Sequence, residues 1–128
     1  SCVKGVSVVA GRREVEVRDA KAALEELRSV ASIEGEELLR PFIDADPGFF
    51  ATLAERLRES MRRHSEIARV EIEVGVDPEE GYVYVGVNLM MRAPLERIHD
   101  IRSAVFHAWL KDLYREAPLA LEVIARPT

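Results

Sequence analysis

Two neighbouring segments alternate between apolar and polar side chains, and this pattern limits the possible folds more than any other feature. In residues 67–76, and again in residues 83–91, every second side chain is apolar. A period of two is typical of β-strands with one buried face. A slip of one residue would turn every apolar side chain to the other face, so the pattern also predicts the register of pairing.

The short loop at residues 78–81 predicts that these two strands form an antiparallel hairpin. The expected pairs join apolar residues on one face: Val76 with Val83, Val74 with Val85, Ile72 with Val87, and Val70 with Leu89. On the other face Tyr84 falls opposite Gly75. An aromatic ring that lies over a cross-strand glycine is a stabilising arrangement, which supports the same register.

A second hairpin is expected near the start of the chain. Gly11 and Arg12 match a two-residue type II′ turn, in which glycine takes the first position. This turn places valines opposite each other: Val8 with Val15, and Val6 with Val17.

Helical spacing follows this hairpin. Asp19 is a candidate N-cap for a helix over residues 20–31, because its carboxylate can accept free backbone N–H groups. We expect Ser32 to cap a second, short helix. Pro41 lies inside that helix and predicts a kink or a break.

Two further helices have clear boundaries. Asp46 followed by Pro47 is a typical helix start, and the apolar stripe that follows predicts a helix to about Ser65. The last helix is expected to begin at Pro94 and to end before Pro118.

Residues 119–125 alternate again and predict a final strand, with Leu121 and Val123 facing inwards. The expected order of elements is β-β-α-α-α-β-β-α-β. We therefore predict one α+β domain over residues 1–128, in which helices pack on one face of an antiparallel β-sheet of about five strands.

The helices can cover only one face of this sheet, and the other face suggests an interface. It combines an acidic band with a smaller, partly apolar group. The candidate interface residues are Val9, Tyr84, Asn88, Met90 and Ile124. Partial apolar character and unpaired edge strands favour self-association through the open face or the edges. An ordinary solvated face is the alternative. We predict a non-enzymatic protein-interaction or assembly module that forms a homo-oligomer, with a different protein partner left open.

A cluster of basic residues gives a nucleic-acid-binding accessory protein as the first alternative. Its members are Arg56, Arg62, Arg63, His64 and Arg69. Cations at a helix C-terminus also complement the helix dipole, and interleaved glutamates offer salt bridges. The net charge of −5 argues against general attraction to polyanions.

A small enzyme or ligand binder around His99 is the second alternative. His99 lies beside Asp100 in the sequence, and this alternative places Tyr84 near the same pocket; a histidine paired with a carboxylate can act as a general base. The chain contains no GxGxxG, GxxxxGK[ST], GxSxG or HExxH motif. No catalytic residue is assigned, and we predict neither a cofactor nor a metal site.

Composition points to a heat-adapted, cytoplasmic protein. Only Lys4, Lys21 and Lys111 among the 18 basic residues are lysine, and Asn88 is the single amide side chain. Replacement of amides by charged residues is common in thermophilic proteins. The single cysteine cannot form an internal disulfide, and no apolar run reaches the length of a membrane helix.

Overall fold

The two alternating segments form the centre of a mixed, four-stranded sheet with helices on one face. A computed structural model describes residues 8–9, 12–13 and 19–128 of the chain. The elements are β1 (Val8–Val9), β2 (Arg12–Arg13), α1 (Ala20–Arg28), β3 (Ser32–Glu34), α2 (Glu36–Ala45), α3 (Pro47–Arg63), β4 (Ile67–Val76), β5 (Val83–Met91), α4 (Leu95–Val105), a π-helical turn (Phe106–Leu110), α5 (Lys111–Glu116) and β6 (Ala120–Pro127).

The central hairpin of β4 and β5 has the predicted register. Val76 pairs with Val83, and the apolar pairs continue as expected to Val70 and Leu89. The connecting loop is fixed by Asp77, whose carboxylate accepts backbone N–H groups of Glu79 at 2.9 Å and Glu80 at 2.8 Å.

The sheet is not the purely antiparallel, five-stranded sheet that we predicted. Its order is β3-β4-β5-β6, and both outer strands run parallel to their neighbours. Parallel pairing requires a crossover connection. Helices α2 and α3 connect β3 to β4, whereas α4 and α5 connect β5 to β6. The fold class α+β is confirmed.

The strand β3 corrects the prediction for residues 32–35. Ser32 lies in a strand and does not cap a helix. Gly35 follows with φ of 83° and turns the chain from β3 into α2; glycine adopts this left-handed conformation without steric cost. Helix α2 then continues through Pro41 without a break.

The first hairpin also differs from the prediction. Val8 pairs with Arg13, so the predicted pairing of Val8 with Val15 is wrong. Strands β1 and β2 form a separate two-stranded sheet. The predicted pair of Val6 and Val17 lies outside the described residues.

The predicted helix starts are confirmed by their caps. The Asp19 carboxylate accepts the backbone N–H of Ala22 at 2.9 Å, and Asp46 accepts that of Phe49 at 3.2 Å. Helix α1 ends at Arg28, three residues earlier than predicted. Within residues 19–128, no helix combines the length and the apolar character needed to cross a bilayer.

The core lies between the helices and one face of the sheet. The sheet contributes buried residues from three strands: Val70, Ile72, Val74, Val85, Val87, Leu89, Leu121 and Val123. Phe49 and Phe50 from α3 pack edge to face at 5.0 Å within the same core. Among the described residues, the helices pack on this core face of the sheet, and alternate strand residues point to the other face.

A candidate interface on the open face of the sheet

Side chains on the open face form four rows that run across the strands. Strand pairing defines the basic row (Arg69, Met90, Arg126), the middle row (Ser32, Glu71, Asn88, Ile124), the acidic row (Glu34, Glu73, Gly86, Glu122) and the tyrosine row (Gly75, Tyr84, Ala120). Alternate residues on a strand point to the same face, so these rows lie on the side opposite the core. The open face therefore changes from basic to acidic along the strands.

Asn88 is the most buried polar residue of the open face, although no described helix covers it. Its relative exposure is 6%. Its Oδ1 accepts a hydrogen bond from Nε of Arg126 at 3.3 Å. The arginine thus lies across the middle of β5, and the central part of the face is filled.

The basic row is held in place by short contacts. Nε of Arg69 donates to Glu71 at 2.7 Å, and its Nη1 donates to the hydroxyl of Thr128 at 3.0 Å. A guanidinium has five N–H donors, so Arg69 and Arg126 both retain donors for a further partner.

The acidic row carries unneutralised charge. Within the described part of the chain, Glu34, Glu73 and Glu122 form no ion pair. Gly86 lies between Glu73 and Glu122 and leaves a hollow, because a Cβ atom added there would meet no atom closer than 3.8 Å. The row is a shallow trough with carboxylates on both sides.

Tyr84 closes one end of the open face. Its ring lies over Gly75, as the sequence predicted, and a Cβ atom at Gly75 would be only 2.6 Å from the tyrosine hydroxyl. The glycine therefore lets the ring lie flat on the sheet.

Beside β3, a cavity of about 480 Å³ opens on this face. Its lining residues come from all four strands: Ser32, Ile33, Glu34, Glu71, Ile72, Glu73, Asn88 and Arg126. Among the described residues, no group of three or more histidine, cysteine, aspartate or glutamate side chains is arranged to hold a metal ion.

The structure brings most of the predicted interface residues together. Tyr84, Asn88 and Met90 lie on the open side of β5, and Ile124 is the neighbour of Asn88 on β6. Val9 belongs to the separate two-stranded sheet. Sequence reasoning missed Arg126, because the predicted strand ended at residue 125 whereas β6 continues to Pro127.

The basic residues at the end of α3 are engaged by carboxylates. Arg62 and Arg63 both bind Glu59, at 2.5 Å and 2.9 Å. The Arg63 guanidinium also lies 5.9 Å from the ring centroid of Trp109. These contacts neutralise much of the charge that a phosphate backbone would require.

The rest of the basic cluster is dispersed. Arg56 points to α5, where it donates to Asp112 at 2.9 Å and to the carbonyl of Trp109 at 2.6 Å. Arg69 lies on the open face beside Glu71, and His64 ends α3 as its C-cap. Arg69 thus lies on the open face of the sheet, whereas the other predicted nucleic-acid-binding residues belong to α3 and its C-terminal end.

His99 and Tyr84 lie on opposite sides of the sheet. His99 and Asp100 are exposed on α4, which buries Ile98 and Ile101 against the core. Tyr84 lies on the open face. The predicted pocket of these three residues therefore has no support in the geometry.

Comparisons with protein-family models, with curated proteins and with solved structures found no match.

Proposed function

We propose that this chain is a non-enzymatic assembly module that associates with a second copy of itself through the open face of the sheet. The observation that carries the proposal is the order of charge on that face. A basic row and an acidic row lie on either side of a middle row whose single charge, on Glu71, is paired with Arg69. A surface with segregated opposite charges can be complementary to itself.

Association through the face is favoured over association through the edges. The outer strand β3 has only three residues. At the other edge, Nε of Arg102 donates to the carbonyl of Val123 on β6 at 2.8 Å. Short or capped edge strands resist pairing with another sheet.

The size of the face sets the expected affinity. With strands about 4.8 Å apart and alternate residues about 6.7 Å apart, the basic, middle and acidic rows together cover roughly 400 Å² per copy. Stable specific interfaces bury about 800 Å² per partner. We therefore expect a weak dimer that forms only at high protein concentration. A cytoplasmic setting is part of this proposal and is supported by the single cysteine.

Sedimentation velocity over a concentration series from micromolar to millimolar tests the proposal. We expect the weight-average mass to rise from monomer to dimer. Met90→Glu should abolish this rise, because it places a charge in the middle strand of the face. Leu95→Glu is the matched control, since Leu95 is 62% exposed on α4. A chain that stays monomeric throughout, or equal dimerisation of both variants, would contradict the proposal.

A further inference from the structure

We propose that the two copies are related by a two-fold axis that runs across the strands, along the middle row. The strands of the two facing sheets then run in opposite directions. This inference rests on the proposed self-association and specifies its geometry. The orientation of the axis follows from the order of the charged rows and from the shape of the open face.

Charge selects this axis over the alternative. A two-fold axis across the strands places the basic row of one copy on the acidic row of the other. An axis parallel to the strands would place basic on basic and acidic on acidic rows. Like charges brought together at an interface oppose association, so the second arrangement is unfavourable.

The selected arrangement predicts two ion pairs and their symmetry mates. Arg126 on β6 faces Glu122 of the partner subunit, and Arg69 on β4 faces Glu73 of the partner subunit. Facing sheets pack about 10 Å apart, a gap that an arginine and a glutamate side chain span together. Both arginines retain N–H donors beyond those used within their own chain.

The shape of the open face is compatible with the same axis. Met90 in the basic row lies opposite Gly86 of the partner subunit, in the corresponding position of the acidic row. The nearest atom to a Cβ atom added at Gly86 would be the carbonyl oxygen of Glu73, at 3.8 Å. The partly exposed Met90 of one copy thus faces a position on the other copy that carries no side chain.

Residues of the middle row meet their own copies along the axis. Asn88 is only 6% exposed and accepts a hydrogen bond from Arg126 of its own chain, so the contacts along the axis come from its exposed neighbours in the row. The two Glu71 carboxylates would also approach each other. Each is held by Arg69 of its own chain at 2.7 Å, which offsets their repulsion.

Charge reversal tests the axis. Arg126→Glu and Glu122→Arg should each weaken dimerisation by about tenfold or more, since each creates two like-charge contacts per dimer. The double variant R126E/E122R should restore the affinity, because both contacts are re-formed with inverted polarity. Arg97→Glu, on α4 and 58% exposed, is the control and should leave the affinity unchanged.

Crosslinking tests independently which residues lie close to the two-fold axis. In a Cys2→Ser background, Ile124→Cys should be joined to its own copy by a short bismaleimide, whereas the exposed Ser103→Cys on α4 should not. Two results together would overturn the proposed axis and leave self-association standing. The first is a dimer that is insensitive to R126E or is not rescued by the double variant, and the second is a failure to crosslink at position 124. A wild-type monomer would overturn both.

Discussion

Replacing Gly35 by alanine tests whether β3 lies against β4. Gly35 has φ of 83°, a conformation that costs a residue with a Cβ atom about 1–2 kcal/mol. The new Cβ atom would also lie 2.3 Å from the carbonyl oxygen of Val74 in β4. That oxygen belongs to the backbone of a paired strand, so it cannot move aside as a flexible side chain would. Overpacking of this kind costs about a further 1–3 kcal/mol.

Gly81→Ala provides the matched control. Gly81 has φ of 78°, nearly the same conformation, but a Cβ atom there would have no neighbour within 4 Å. We therefore expect G81A to lower the free energy of unfolding by about 1–2 kcal/mol and G35A by about 2–5 kcal/mol. Urea unfolding followed by circular dichroism measures both, at low protein concentration. Equal losses in the two variants would refute the close approach of Gly35 to β4, and with it the position of β3.

Two further predictions concern charged side chains. Arg56→Met should lower the free energy of unfolding by about 2–3 kcal/mol, because it removes the guanidinium that donates to the carbonyl of Trp109 and pairs with the Asp112 carboxylate, which is 20% exposed. In the same urea assay the exposed Arg62→Met should destabilise the protein far less, and an equally small loss for R56M would contradict the role of the Arg56 contact. The two backbone N–H groups that bind Asp77 hold the pKa of its carboxyl below the ordinary value. Its contribution to stability is therefore present above about pH 4 and is lost as the pH falls further. Asp77→Asn should flatten this acid limb in urea titrations between about pH 5 and 2, and an unchanged limb would exclude Asp77 as its source.

The sequence was sufficient for the central hairpin because several constraints agreed there. The alternation on β4 and β5 admits one register that places all the valines of both strands on the same face. The placement of Tyr84 over Gly75 and the glycine-containing loop favour the same register. The helix starts at Asp19 and Asp46 were equally predictable, because a capping carboxylate has a local signature.

Elements without a local signature were missed. Strand β3 has three residues, too few to show a period, and Ser32 is as good a helix cap as it is a strand residue. The direction of β6 beside β5 depends on the path of the preceding helices, which alternation does not encode. In the first hairpin, Val8 pairs with Arg13 in place of Val15, and a shift of two residues keeps the same alternation, so the valine pattern could not distinguish the two registers.

Interactions within one chain do not account for the order of charges on the open face. Opposite charges on adjacent strands stabilise a sheet, whereas like charges directly opposite each other destabilise it. Glu34 pairs directly with Glu73, and Arg69 and Arg126 flank Met90 in the same row. If one arginine of the basic row exchanged positions with one glutamate of the acidic row, both rows would contain favourable pairs of opposite charge within the monomer. In the proposed dimer, a second copy related by an axis across the strands presents the reverse order of charge to this face, so the two surfaces are complementary.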